Sequence, residues 1–279
     1  MKTLTIPRRA WTLVSILSSF GLAACLHGGS PTEGADLYLL MGQSNMSGRG
    51  LLDELPSRYR TMDAAISVYG NDGVWRVASE PLDVATNQID TVSADMAAGV
   101  GPGLVFARTM SGSRPGRRIG LVPCAKGGSS ITQWARSASR ETLYGSCLAR
   151  AREAQARGRI AGILWYQGES DADTQADADA WPGRFSNMMD TFRRDLGEPG
   201  LPLVVVGLGD RPLTGPYAQR FAAWATVQTG QFSLRMESQA YVSAAGLPRN
   251  ADKLHLSTDG QIILGHRLAV AMITAERDR

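Results

Sequence analysis

Three side chains of this sequence could together transfer an acyl group: the hydroxyl of Ser44, the imidazole of His255 and the carboxylate of Asp252. A serine hydroxyl attacks a carbonyl when a base takes its proton. That base works best when a carboxylate fixes its tautomer and stabilises the imidazolium that forms. The chain holds only three His. His27 falls in a Gly/Ser/Pro stretch near the start, and His266 falls among apolar residues of a predicted helix, which leaves His255. Asp252 precedes it in the same loop. Glu169 is the other carboxylate with a claim on that imidazole, and it reads equally as a residue that orders its own loop.

Attack on a carbonyl also builds negative charge on its oxygen, which needs donors aimed at it. The candidates are the backbone N–H of Ser44, the backbone N–H of Gly128 and the side-chain amide of Gln167. Gly128 has no side chain to obstruct a substrate. Asn45, beside the nucleophile, and Trp134 are candidates for the wall of the substrate pocket. The acidic run Asp171, Asp173, Asp177 and Asp179 lacks the glycine and terminal Glu of a calcium loop, so it reads as a solvated loop. There is no Cys-x-x-Cys, no His-Glu-x-x-His and no phosphate-cradling glycine loop. The expectation is chemistry without metal or cofactor.

These residues need a scaffold that gathers them. Short apolar runs bounded by turn residues predict strands at 36–41, 118–123, 160–166, 201–208 and 239–243. Such runs suit parallel strands buried on both faces. Between them, helices are predicted at 103–110, 141–156, 181–196 and 216–229, and a last one from about Ser257, where Thr258 and Gln261 fit a capping box. Alternation of strand and helix predicts a parallel α/β sheet covered on both sides. Ligands of such sheets bind beyond the carboxyl ends of the strands. The loops after the first three predicted strands carry Ser44, Gly128 and Gln167, and the loop before the last helix carries His255, so all four fall at one end of the sheet. Residues 48–100 have no clear period and read as an insertion of loops with a small strand pair.

The 279 residues, 43% of them hydrophobic, are ample for a large core. The net charge of +3 comes from scattered Lys and Arg, without the aromatic and basic interleaving of a nucleic-acid face. Lys2, Arg8 and Arg9 precede an apolar stretch that is short for a membrane span and ends in small residues, the pattern of a cleaved export signal at 1–24. Leu22-Ala23-Ala24-Cys25 resembles the lipobox of bacterial lipoproteins. Cys25 would then be lipidated, 25–35 would be a tether and 36–279 the working domain, anchored in the periplasm or on the cell surface; an ordinary cleaved signal would make it secreted. Export would also let Cys124 and Cys147 pair.

Gly-Gln-Ser-Asn-Met at 42–46, Lys-Gly-Gly-Ser at 126–129, Trp-Tyr-Gln-Gly-Glu-Ser-Asp at 165–171 and Asp-x-x-His at 252–255 together resemble the SGNH-hydrolase superfamily. Within it they look like the branch of carbohydrate esterase family 6 acetylxylan esterases and sialate O-acetylesterases. The resemblance implies a flavodoxin-like three-layer α/β/α sandwich with a central parallel sheet, no metal, and hydrolysis of acetyl esters on a glycan. It matches Ser44 to the nucleophile, Asp252 and His255 to its partners, and Gly128 to an oxyanion donor. Gln167 stands where most of the superfamily has Asn. Met46 replaces the last glycine of the Gly-x-Ser-x-Gly elbow, which separates the chain from the α/β-hydrolases. The rival readings are a non-catalytic glycan-binding surface lipoprotein on the same scaffold and an esterase of lipid or simple esters.

Overall fold

The computed structural model describes residues 1–3 and 34–277. The rest of the predicted export signal, Cys25 and the tether up to residue 33 lie outside the described residues. Among the described residues no helix is long and apolar enough to cross a membrane.

The chain enters through β1 (Ala35–Gly42), whose residues are all buried. There follow the one-turn helices α1 (Ser44–Ser47) and α2 (Ser57–Arg60), then β2 (Ile66–Tyr69), β3 (Trp75–Val77), α3 (Gly103–Ser113) and β4 (Ile119–Pro123). The second half alternates regularly: α4 (Leu143–Gln155), β5 (Gly158–Tyr166), α5 (Gln175–Leu196), β6 (Leu203–Gly207), α6 (Trp224–Ser233), β7 (Gln239–Ser243) and α7 (Thr258–Arg277).

The strands form one seven-stranded sheet in the order β3-β2-β4-β1-β5-β6-β7. All neighbours are parallel except β3, which returns antiparallel to β2. Without the β2–β3 pair, the order is that of a flavodoxin-like sheet, with β1 between β4 and β5. α3 and α7 pack together over one face, and α4, α5 and α6 over the other. This is the expected three-layer α/β/α sandwich. Its winding reverses beside β1, which opens a crevice at the carboxyl ends of β1 and β5.

The strands lie where the apolar runs predicted them, with ends moved by a residue or two. Three helical expectations need correction. α5 begins at Gln175 rather than 181, because the Thr174 hydroxyl caps it by accepting the Asp177 N–H at 3.1 Å. Asp177 and Asp179 therefore belong to a helix rather than a loop. α6 begins at Trp224 rather than 216. Phe221 sits at φ +63°, a left-handed conformation that no helix can contain, and its N–H goes to Asp173 instead. The cap of α7 comes from Ser257, whose hydroxyl accepts the Gly260 N–H at 3.3 Å. Thr258 and Gln261, expected to form that cap, donate instead to the carbonyls of Leu51 and Asn45. Cys124 and Cys147 are joined as a disulfide with Cα atoms 5.4 Å apart, tying the end of β4 to α4.

Candidate active site

β1 stops at Gly42, whose φ of +123° turns the chain out of the sheet. A Cβ there would lie 2.1 Å from the carbonyl oxygen of Tyr166, so only glycine lets β1 and β5 finish side by side. The Gln43 N–H then donates to that carbonyl at 2.8 Å, and Ser44 opens α1 at the rim of the crevice.

His255 reaches the same point from the other end of the chain. Its Nε2 lies 3.1 Å from the Ser44 Oγ, and its Nδ1 lies 2.7 Å from Asp252 Oδ2. A carboxylate can only accept, so Nδ1 carries the proton and Nε2 is left as the acceptor facing the hydroxyl. The other oxygen of Asp252 accepts the backbone N–H groups of Leu254 and His255, both at 3.0 Å. Partial burial pushes the Asp252 acid up, but these bonds and the imidazole outweigh it and hold its carboxyl below the usual range. Asp252 is therefore held as a carboxylate, the form that can accept the Nδ1 proton.

Glu169 does not contact the imidazole. Its Oε1 accepts from Asn45 Nδ2 at 2.9 Å, while its Oε2 has no hydrogen-bond partner among the described residues. Burial pushes its acid up from 4.5 to about 7. Asn45 does not line the cleft. It is fully buried, its Oδ1 accepts the Leu256 N–H at 2.9 Å, and its carbonyl accepts from Gln261 at 3.1 Å. It keys the nucleophile turn to the loop of Glu169, the loop of His255 and α7.

The oxyanion donors also divide. Among the described residues no backbone carbonyl takes the N–H of Ser44 or of Gly128. Gly128, at φ +73°, has open space where a Cβ would be, and both residues line the cleft. Gln167 is different. It is fully buried, and its Nε2 donates to the Ser129 carbonyl at 3.0 Å and to the Asp171 carboxylate. Its Oε1 accepts from Trp181 Nε1 at 2.9 Å. With its donors and acceptor used inside the protein, Gln167 supports the Gly128 loop from below and does not face the cleft. Asp171, expected to be solvated, is buried and also accepts the Ile131 N–H at 2.9 Å. Trp134 is likewise core: it is fully buried, packs edge-on against Trp165 at 5.2 Å and donates to Ser129 Oγ at 3.2 Å.

The cleft over Ser44 has a volume of about 350 Å³. Its rim includes Gln43, Arg49, Ala97, Tyr217, Arg220 and Phe221. A larger hollow, of about 730 Å³ between β7 and α7, contains none of the reactive groups. The sequence pattern did not point to the residues of the rim from 210–223, because their positions depend on a turn braced by Asp173 rather than on any period. Among the described residues no cluster of His, Cys, Asp and Glu could hold a metal ion.

Residues 34–274 match the family model described as carbohydrate esterase, sialic acid-specific acetylesterase. The chain is 33% identical over 275 residues to a probable carbohydrate esterase of Arabidopsis thaliana, covering 89% of this chain and 99% of that one. The crystal structure of the same Arabidopsis protein superposes with a TM-score of 0.73 at 31% identity, over 86% of this chain and 98% of that one. A carbohydrate acetylesterase from Xanthomonas citri shares the fold at TM-score 0.64 and 23% identity, over 88% of this chain and 57% of that one. A shorter stretch of 116 residues, 35% of each chain, is 32% identical to a probable 9-O-acetyl-N-acetylneuraminic acid deacetylase of Escherichia coli. A hydroxyl, imidazole and carboxylate in hydrogen-bonded series on an SGNH-like sheet agree with these matches: the chain belongs to the sialic acid-specific acetylesterase family of carbohydrate esterases and is a carboxylic ester hydrolase.

Proposed function

We propose that this acetylesterase removes O-acetyl groups from a glycan through an acetyl-enzyme on Ser44. The observation that carries the reading is the unbroken series Ser44 Oγ, His255 Nε2, His255 Nδ1 and Asp252 Oδ2, with contacts of 3.1 and 2.7 Å. His255 takes the Ser44 proton as the oxygen attacks the acetyl carbon. The carbonyl oxygen becomes an oxyanion facing the free N–H groups of Ser44 and Gly128. The imidazolium, held by Asp252, returns its proton to the departing sugar oxygen. Water then repeats the sequence on the acetyl-serine and releases acetate.

The relatives are named for carbohydrate esters, and a cleft of about 350 Å³ has room for an acetylated sugar unit. Acetylated xylan and 9-O-acetylated sialic acid are the two substrates to compare. Purified protein should release acetate from at least one of them and from nitrophenyl acetate. Ser44→Ala should lower that rate by roughly 10⁴-fold or more. A Ser44→Ala variant as active as the parent would end the proposal.

A further inference from the structure

The insertion at 48–100 contributes a carboxylate to the architecture of the site. Asp95 is buried, and its Oδ2 accepts from three directions: Ser47 Oγ at 2.8 Å, the Gly127 N–H at 2.9 Å and Arg49 Nη2 at 2.7 Å. Its Oδ1 accepts from Arg49 Nη2 at 3.0 Å and from the Ala97 N–H at 3.2 Å. Ser47 ends the one-turn helix that Ser44 begins, and Gly127 is the neighbour of Gly128. One carboxylate thus spans the two turns that carry the unspent N–H groups. Arg49 strengthens the span by donating to Ser47 Oγ at 2.9 Å and to the Gly48 carbonyl at 2.7 Å. Lys126 Nζ adds a second strap to the Ala94 carbonyl at 2.5 Å.

We propose that Asp95 is a positioning residue for the oxyanion hole: it fixes the separation between the Ser44 and Gly128 N–H groups through Ser47 and Gly127. The inference rests on the acetyl-enzyme reading above. It follows from a geometric requirement. Donors act on a developing oxyanion only when held within about 0.5 Å of the productive arrangement. Here the donors belong to the turns after β1 and after β4, neighbouring strands whose last backbone tie is the Lys126 N–H to the Gly42 carbonyl at 2.9 Å; beyond it, Asp95 joins the two turns. Burial pushes the Asp95 acid up, but Arg49, Ser47 and Gly127 outweigh it and keep it a carboxylate through the working range. Asp95 touches neither substrate nor reacting atoms.

The test uses the full chain with Asp95→Asn and Ser47→Ala, beside the parent and Ser44→Ala. Asp95→Asn places an amide donor against Arg49, and Ser47→Ala deletes a single strut while keeping the carboxylate. Each is assayed for kcat, KM and Tm on nitrophenyl acetate and on the same ester with sulfur replacing the carbonyl oxygen. Sulfur accepts hydrogen bonds poorly, so the rate penalty for that replacement reports on the hole itself. Asp95→Asn should lower kcat by roughly 10- to 100-fold, short of the ~10²–10³ for losing a donor outright. KM should stay within about twofold, and the sulfur penalty should shrink. Ser47→Ala should move both quantities the same way by less. A parental kcat and parental sulfur penalty in folded Asp95→Asn, whatever its Tm, would overturn the proposal; if that variant does not fold, the same result in Ser47→Ala would. Activity in Ser44→Ala would instead defeat the acetyl-enzyme reading.

Discussion

Ser44 stands on backbone enclosed by the protein, whereas His255 hangs from a loop at its surface. Asn45, Gln167 and Glu169 around the nucleophile are between 0% and 2% exposed, and each is fixed by bonds to other segments. Around the base, the Asp252 side chain is 29% exposed and the imidazole 14%. The loop from Asn250 to Leu256 is held largely by itself: Asn250 N–H to the His255 carbonyl, Lys253 N–H to the Asn250 carbonyl, and the Asp252 carboxylate to two N–H groups. Besides the His255–Ser44 contact, its polar ties to the Ser44 turn and the residues just after it are the Leu256 N–H to Asn45 Oδ1 and the Asn250 Nδ2 to the Arg49 carbonyl, both at 2.9 Å. Ser44, proposed as the nucleophile, is therefore set into the buried part of the fold. The base and its carboxylate form a local turn that can change with little effect on the core.

This contrast separates chemistry from stability by region. The largest expected effect is chemical and lies in the exposed half. Asp252→Asn keeps the side chain's shape but presents an amide to the imidazole, and it should lower kcat by roughly 10³–10⁴-fold. Its Tm should fall by no more than about 2 °C, in keeping with small effects at exposed sites; a collapse in Tm would break the comparison. Next comes the buried half. Gln167→Met leaves the Ser129 carbonyl, an Asp171 oxygen and the Trp181 N–H without that partner. At ~1–3 kcal/mol for each buried unpaired group, Tm should fall by about 10 °C. Its kcat, measured well below that Tm, should drop by less than the ~10²-fold expected for a lost oxyanion donor. A larger drop in kcat with an unchanged Tm would return Gln167 to the oxyanion hole.

The smallest effect is one of slope. Glu169 is raised by burial from 4.5 to about 7. Below pH 4.5 it is protonated whether the chain is folded or not. Between about 4.5 and 7 only the unfolded chain releases the proton, so stability falls as pH rises; above 7 the effect is complete. Glu169→Gln should flatten the Tm profile across that window by a few degrees. Burial raises Asp83 to about 7 and Glu80 to about 8, and both contribute equally to the two proteins. Asp252 has the opposite sign: the stability it adds is lost as pH falls through its lowered value. Parallel Tm profiles for parent and Glu169→Gln would show that the buried carboxyl is not protonated differently on folding.

The centre of the parallel sheet was legible because β1, β4, β5 and β6 are dominated by apolar runs, a pattern that needs no knowledge of neighbours. The meeting of Ser44, His255 and Asp252 was legible because Ser44 follows a strand end and the histidines are few. Gln167 misled because sequence names a side chain but not where it turns. Its direction is set by Trp181 on α5 and by Asp171, which reads in sequence as part of a solvated loop. Trp134 and Asn45 misled in the same way, since both sit beside the cleft in sequence yet turn into the interior. Asp95 escaped notice because it lies in an aperiodic insertion, and its role becomes visible only when α1 and the loop after β4 are brought together. The false start of α6 came from Phe221 and Trp224, whose helical spacing was overridden by the Asp173 carboxylate.

One consequence follows from the distance along the chain between the reacting groups. Ser44 precedes His255 by 211 residues, and the tie from Asn45 to Gln261 spans 216. During synthesis the serine is made long before the imidazole exists, and the turn that presents it lacks one of its ties, the bond from Gln261, until α7 docks. On the acetyl-enzyme proposal, a polypeptide that ends before residue 255 would carry an unarmed hydroxyl.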